Sequence, residues 1–145
     1  GRAVLASDID PEAVRVTIAN ARRNGAGPQL RAVTAAGLKD PRIAAGAPYD
    51  LIFANILARP LAQLATGLAA ALAPGGFLIL SGLTREQRRW IAATYRNRGL
   101  IRARTIYRGQ WATLVFQRAG RKSDGGRRPA RGLRHAPAGP GWEND

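Results

Sequence analysis

Short apolar runs alternate with amphipathic stretches along most of the chain. Arg2-Ala3-Val4-Leu5-Ala6-Ser7 reads as a short buried strand that ends at Asp8. Asp10 is placed to cap a helix that Pro11 opens. Ala13, Val14, Val16, Thr17, Ile18, Ala19 and Ala21 give that helix a small apolar face, and Asn24-Gly25 stops it. Leu30–Val33 is a second short strand. Residues 35–48, rich in Ala, Gly and Pro, read as a loop with one helical turn. Tyr49–Ala54 is then an unbroken apolar strand apart from Asp50, a pattern that predicts burial on both faces.

Leu61, Leu64, Ala65, Leu68 and Leu72 recur at helical spacing and predict a helix over 60–72. Pro74-Gly75-Gly76 ends it, and Phe77–Ser81 is another buried strand. Thr84 caps a helix over 85–97, with Glu86 and Gln87 in its first turn and Gly99 past its end. Ile101–Tyr107 and Trp111–Gln117 are two strands joined by a hairpin turn at Arg108-Gly109-Gln110. The order is β-α-β-(loop)-β-α-β-α-β-β, with no internal repeat. Strands alternating with helices predict an α/β fold with a mostly parallel sheet, to which the last hairpin adds an antiparallel strand.

Composition narrows the chemistry. The 145 residues include no cysteine and one histidine, His135. A disulfide scaffold, cysteine-ligated zinc, thiol catalysis and a Ser/His/Asp triad are thereby excluded, and no metal site is expected. No apolar run approaches the length of a membrane span, so no membrane partner is expected either. Residues 119–145 carry nine Gly or Pro and few large apolar side chains, and read as a disordered basic tail. Residues 1–118 read as one domain.

The net charge is +14, and residues 1–118 alone hold seventeen cations against six anions. That excess suits an RNA-rich partner; it equally suits a coding sequence biased toward arginine, because only Lys39 and Lys122 are lysines. Arg85, Arg88, Arg89 and Arg96 on the last helix read either as a contact for acidic partners or as a solvated face. Ser81 ends a strand with no base to activate it. Trp111 and Tyr107 on the hairpin are expected to pack against the sheet rather than to stack on a base.

Two strand ends carry candidate chemistry. In open α/β sheets, ligands bind beyond the carboxyl ends of strands, where a carboxylate accepts hydrogen bonds from a ribose. Asp8 holds that position after the first strand, and Asp10 falls where a helix cap explains it. Both acids could instead serve the helix N-terminus. Asn55 follows the apolar strand 49–54 and offers both a donor and an acceptor at the rim of such a crevice; a turn residue is the plainer reading.

Asp8-Ile9-Asp10-Pro11, Asn20–Gly25, Asp50–Leu61 with Ala54-Asn55-Ile56-Leu57 at its centre, Leu72–Leu83 and Gly109–Leu114 follow one another at consistent spacing. Together they closely resemble the C-terminal two thirds of the catalytic domain in the ribosomal protein L11 methyltransferase family (PrmA), over residues 2–118. Pro74-Gly75-Gly76 before a strand is common to many class I methyltransferases. The Ala54–Leu57 block with Gly109-Gln110-Trp111 is far more particular to this family.

The resemblance implies a Rossmann-like class I fold and methyl transfer from S-adenosylmethionine (SAM) to amino groups, lysine ε-amines and the α-amine, of a large-subunit ribosomal protein in the cytoplasm. It implies cofactor binding by Asp8, Ile9 and Asn55, with Asn55 also at the substrate amine as the catalytic residue. Methyl transfer needs a neutral amine held in line with the methyl carbon, so positioning supplies most of the effect. Gln110 stands where the family usually has Glu. The family's first strand, its glycine-rich loop and its N-terminal recognition domain would precede Gly1. The expectation is therefore a sheet without its central strand, between the strands at Leu5 and Phe53, and a chain that alone transfers no methyl group. Two other readings are an RNA or small-substrate methyltransferase and a non-catalytic basic RNA-binding module. Base N-methyltransferases place Pro-Pro and an aromatic ring after the Asn or Asp at this strand end, and Ile56-Leu57 lacks that ring.

Overall fold

The computed structural model describes residues 3–120. The readings placed on residues 121–145, the basic tail and His135 among them, lie outside the described residues. The order of elements follows the apolar pattern: β1 (Val4–Asp8), α1 (Pro11–Arg23), β2 (Leu30–Thr34), α2 (Pro41–Ala44), β3 (Tyr49–Asn55), α3 (Ala58–Ala71), β4 (Leu72–Thr84), α4 (Arg88–Arg96), β5 (Leu100–Arg108) and β6 (Trp111–Arg118). Asp10 caps α1 as its side chain accepts from the backbone N–H of Glu12 at 2.9 Å, and Pro11 stands at the first position. Asp40 does the same for the single turn of α2.

The strands form two sheets rather than one. β1 pairs with β2 in parallel, and β3-β4-β6-β5 forms a four-stranded sheet in which β3 and β4 are parallel and the last two antiparallel. Among the described residues no strand joins β1 to β3. α1 packs on the small sheet and α3 and α4 on the large one.

One face of the large sheet holds the core. Leu78, Leu80, Leu114 and Phe116 are fully buried there against Leu61, Ala65 and Leu68 of α3 and Ile91, Ala92 and Tyr95 of α4. Tyr95 stacks on Phe116 at 5.5 Å between ring centres and donates its buried hydroxyl to Leu61 O at 2.7 Å. Burial pushes the Tyr95 phenol pKa well above its ordinary value.

Three expectations need correction. β3 is not buried on both faces: Leu51 and Phe53 are 59% and 63% exposed. They lie on the face opposite α3 and α4, and no described element covers it. Pro74-Gly75-Gly76 does not separate helix from strand; α3 ends at Ala71, and β4 starts at once at Leu72. The pairing jumps from Tyr49↔Leu72 to Leu51↔Phe77, so Ala73–Gly76 bulge out of the ladder. Gly76 fits because a Cβ there would stand 2.9 Å from Ala73 O and 3.0 Å from Asp50 O. Finally, α4 starts at Arg88 rather than Arg85. Thr84 and Gln87 form a reciprocal cap ahead of it: Thr84 N–H donates to Gln87 Oε1 at 3.0 Å, and Gln87 N–H to Thr84 Oγ1 at 3.3 Å.

Candidate functional site

β1 pairs in parallel with β2, and β3 with β4; the carboxyl ends of β1 and β3 carry the two residues singled out from the sequence. Asp8 closes β1, exposed, with its backbone carbonyl accepting from Ala35 N–H at 2.9 Å. Its Oδ1 accepts from Asp10 N–H at 2.9 Å, which folds residues 8–10 into a tight turn. The two acids therefore divide their work: Asp10 is committed to the helix cap, while Asp8 keeps one carboxylate oxygen without a donor among the described residues. Ile9 between them is 75% exposed. An apolar side chain held in solvent beside a carboxylate with one oxygen to spare suits contact with a flat, partly apolar ligand.

Asn55 closes β3 and pairs with Ser81 on β4. Asn55, Ser81, Gly82 and Trp111 line an open cavity of about 230 Å³. The Asn55 carboxamide makes no hydrogen bond to a described residue, so its donor and acceptor both remain for a ligand. Asp8 and Ile9 are not among the residues that line this cavity. The structure thus groups Asn55 with Ser81, Gly82 and Trp111, and holds Asp8 and Ile9 on the separate β1–β2 sheet.

Two residues of the site escaped the sequence reading. Gly82 has φ +77, in the left-handed region that favours glycine. A Cβ there would stand 2.8 Å from Asn55 Oδ1 and 3.2 Å from Ile56 O, so a side chain at this position would push the Asn55 carboxamide aside. A glycine just past an apolar strand was the available signal. Trp111 was expected in the core; it is 59% exposed, and Tyr107 is also exposed. The reason lies in the register. Trp111 opens β6 opposite Thr84 and Arg108, beyond the last buried position, Ala112, and on the uncovered face.

No group of three or more potential metal ligands occurs among the described residues, and no described helix is long and apolar enough to cross a membrane.

The family model described as Ribosomal protein L11 methyltransferase (PrmA) matches residues 1–119. The chain is 50% identical over 115 residues to the ribosomal protein L11 methyltransferase of Rhizobium meliloti (strain 1021), covering 79% of this chain and 40% of that protein. It is 46% identical over 119 residues to that of Bradyrhizobium diazoefficiens, covering 82% and 40%. The solved ribosomal protein L11 methylase from Lactobacillus delbrueckii subsp. bulgaricus superposes with a TM-score of 0.74 at 28% identity, over 82% of this chain and 59% of that one. A methyltransferase from Pyrococcus furiosus shares the fold, with a TM-score of 0.66 at 21% identity over 81% and 63%. The chain spans about two fifths of the length of the curated relatives it matches.

Proposed function

The chain belongs to the ribosomal protein L11 methyltransferase (PrmA) family, and from that membership and the geometry above we propose that it forms part of a SAM-dependent methyltransferase. The substrate in this reading is the lysine ε-amine or the α-amine of a large-subunit ribosomal protein, met in the cytoplasm in the neighbourhood of ribosomal RNA. The observation that carries the reading is the pair of polar residues at the carboxyl ends of β1 and β3. Each presents a polar side chain with unused hydrogen-bonding capacity, Asp8 a carboxylate oxygen and Asn55 a whole carboxamide.

SAM, when bound, supplies an electrophilic methyl group on a sulfonium. Asp8 accepts from the ribose diol, the bond that strand-end carboxylates make in this class of fold. Ile9 covers the apolar face of the same moiety. Asn55 aligns the acceptor nitrogen through its carbonyl oxygen and adds no charge, so the amine stays nucleophilic. Trp111 walls the cavity beside it, a surface suited to the methylene stem of a lysine. The ε-ammonium must shed a proton before its nitrogen can attack, and the uncharged Asn55 leaves that proton to water.

The test is transfer of radiolabelled methyl from SAM to purified large-subunit ribosomal protein by a protein that carries this chain at the length of its relatives. Label on the protein's amino groups supports the reading. Label on RNA with none on protein would shift the substrate class to nucleic acid.

A further inference from the structure

Two rows of side chains run along the uncovered face of the large sheet and change character at the same rung. On β3 the row is Leu51, Phe53 and Asn55; on β4 it is Phe77, Ile79 and Ser81, each paired in that order across the strands. The alternate positions Leu78 and Leu80 are fully buried on the helix-covered side, which sets the direction of the row between them. Two apolar rungs are therefore followed by a polar one, and Asn55 and Ser81 stand where the cavity opens. The Ser81 hydroxyl, on a half-buried residue, makes no hydrogen bond to a described residue. A serine with a purely local role commonly turns its hydroxyl onto a neighbouring backbone group. Ser81 instead keeps its oxygen lone pairs for something else. Of the four residues that line the cavity, Gly82 has no side chain and the Trp111 indole only donates, so Asn55 and Ser81 supply its two side-chain acceptors.

The chemistry of a primary amine gives the second acceptor a use. The neutral nitrogen carries one carbon, two hydrogens and one lone pair. With the carbon stem held and one N–H on the Asn55 oxygen, the second hydrogen and the lone pair can still exchange places. Only one of the two arrangements aims the lone pair at the methyl group. An acceptor for the second N–H selects that arrangement.

We propose that Ser81 is a second catalytic residue, whose Oγ accepts the other N–H of the attacking amine and so favours an amine that carries two hydrogens. The inference rests on the reading of the acceptor as a protein amine. In the transfer step the nitrogen lone pair forms the new N–C bond while the C–S bond breaks and leaves its electron pair on sulfur. Positive charge grows on nitrogen, so both N–H···O bonds strengthen toward the transition state; the methylated ammonium then gives a proton to water. A monomethylated amine attacks with a single N–H. That hydrogen goes to Asn55, whose carboxamide oxygen is the stronger acceptor, and Ser81 then contributes nothing. The hydroxyl needs no base for this role, because it accepts a hydrogen bond and does not attack.

The experiment compares methyl transfer to the ribosomal protein with its accepting amine unmodified or monomethylated, the second prepared by semisynthesis, by a protein of the relatives' full length. Ser81→Ala should lower kcat about tenfold on the unmodified amine, the worth of one hydrogen bond, and change it less than about twofold on the monomethylated one. Ser81→Thr keeps the hydroxyl and should restore the preference; Ser81→Val has the shape of threonine without it and should behave as Ser81→Ala, which preserves the comparison if Ser81→Ala does not fold. A titration without turnover accompanies the rates. Ser81→Ala should weaken binding of the unmodified ribosomal protein several fold and leave unchanged that of the trimethylated form, which carries no N–H. An equal fall in kcat on both amines would overturn the proposal, since a structural role for Ser81 acts on both alike. An unchanged rate on the unmodified amine would overturn it as well. A wild type that methylates no amine of the ribosomal protein would overturn the reading of the acceptor and this proposal with it, whereas wild-type transfer with an unmoved preference overturns the proposal alone.

Discussion

A Cβ at Gly82 would stand 2.8 Å from Oδ1 of Asn55. That distance is shorter than real Cβ contacts allow, so the absence of a side chain at Gly82 is what lets Asn55 sit where it does. The positive φ of Gly82 adds a second demand for glycine at the same place. A backbone requirement on β4 and a side-chain requirement on β3 therefore meet at one point of the cavity.

Gly82→Ala should consequently displace the Asn55 carboxamide and strain the end of β4 together. The expected loss of stability is about 1–2 kcal/mol from the left-handed conformation alone. Thermal melting gives the stability change, and turnover of a protein of the relatives' full length, measured well below the melting range, gives the catalytic one. Turnover should fall by more than the unfolded fraction explains. A variant destabilised by this amount yet fully active at low temperature would separate Gly82 from the positioning of Asn55.

Asp8 and Asp10 should separate in the same way on the other sheet. In a protein of the relatives' full length, Asp8→Ala should weaken SAM binding by roughly 1.5–3 kcal/mol, the worth of a charge-assisted bond to the ribose. Asp10→Ala should cost about 1 kcal/mol of stability through the lost cap of α1 and leave SAM affinity nearly intact. Calorimetric titration of both variants decides the matter; equal affinity losses would exchange or merge the two roles.

Tyr95→Phe removes one buried hydroxyl and leaves Leu61 O without its donor at the centre of the α3–α4 packing. A loss of about 1–2 kcal/mol is expected, since the ring keeps its stack on Phe116 while the carbonyl stays desolvated. Chemical denaturation of the variant reads this directly. An unchanged midpoint would mean that water replaces the phenol.

The cap of α2 should respond to acid. Arg42 holds the Asp40 carboxylate through its guanidinium and its backbone N–H, and lowers its pKa from 3.8 to about 2. A carboxylate whose folded pKa is depressed contributes its full stability above the unfolded value and loses it as pH falls toward the folded one. The stability difference between the wild type and Asp40→Asn should therefore be constant above pH 4, shrink between pH 4 and 2, and vanish below. Melting curves over that range check the sign. A difference that grows on acidification would contradict the Arg42–Asp40 geometry.

Much of this architecture was legible in the sequence because local chemistry and global fold agree. Asp10-Pro11 announces a helix start and forms the expected cap, whereas the Thr84–Gln87 pair closes a turn ahead of α4, which starts three residues later than its sequence suggests. Apolar runs located all six strands, and the hairpin turn at Arg108-Gly109-Gln110 fell in its place. The exposure of Leu51 and Phe53 was not legible. An apolar run specifies what a strand can bury, and neighbours elsewhere in the fold determine what it does bury. The bulge at Ala73–Gly76 was hidden for a related reason, as Pro and Gly signal a break without saying whether the ladder resumes. Asn55 could be placed at a strand end from the pattern alone, whereas its contact with Gly82 depends on the register between β3 and β4, which no local motif reports.

The account turns on Asn55 as the residue that aligns the acceptor amine, and a steady-state comparison tests it most directly. Methyl transfer from SAM to the ribosomal protein is measured for the wild type and for Asn55→Ala in a protein of the relatives' full length, beside SAM affinity for each by titration. An interaction made mainly at the transition state lowers kcat far more than it weakens the binding of the methyl donor. The account predicts a fall in kcat of about a hundredfold or more with SAM affinity changed only a few fold. A variant whose turnover at saturating SAM and ribosomal protein matches the wild type, with the defect confined to SAM affinity, would contradict it.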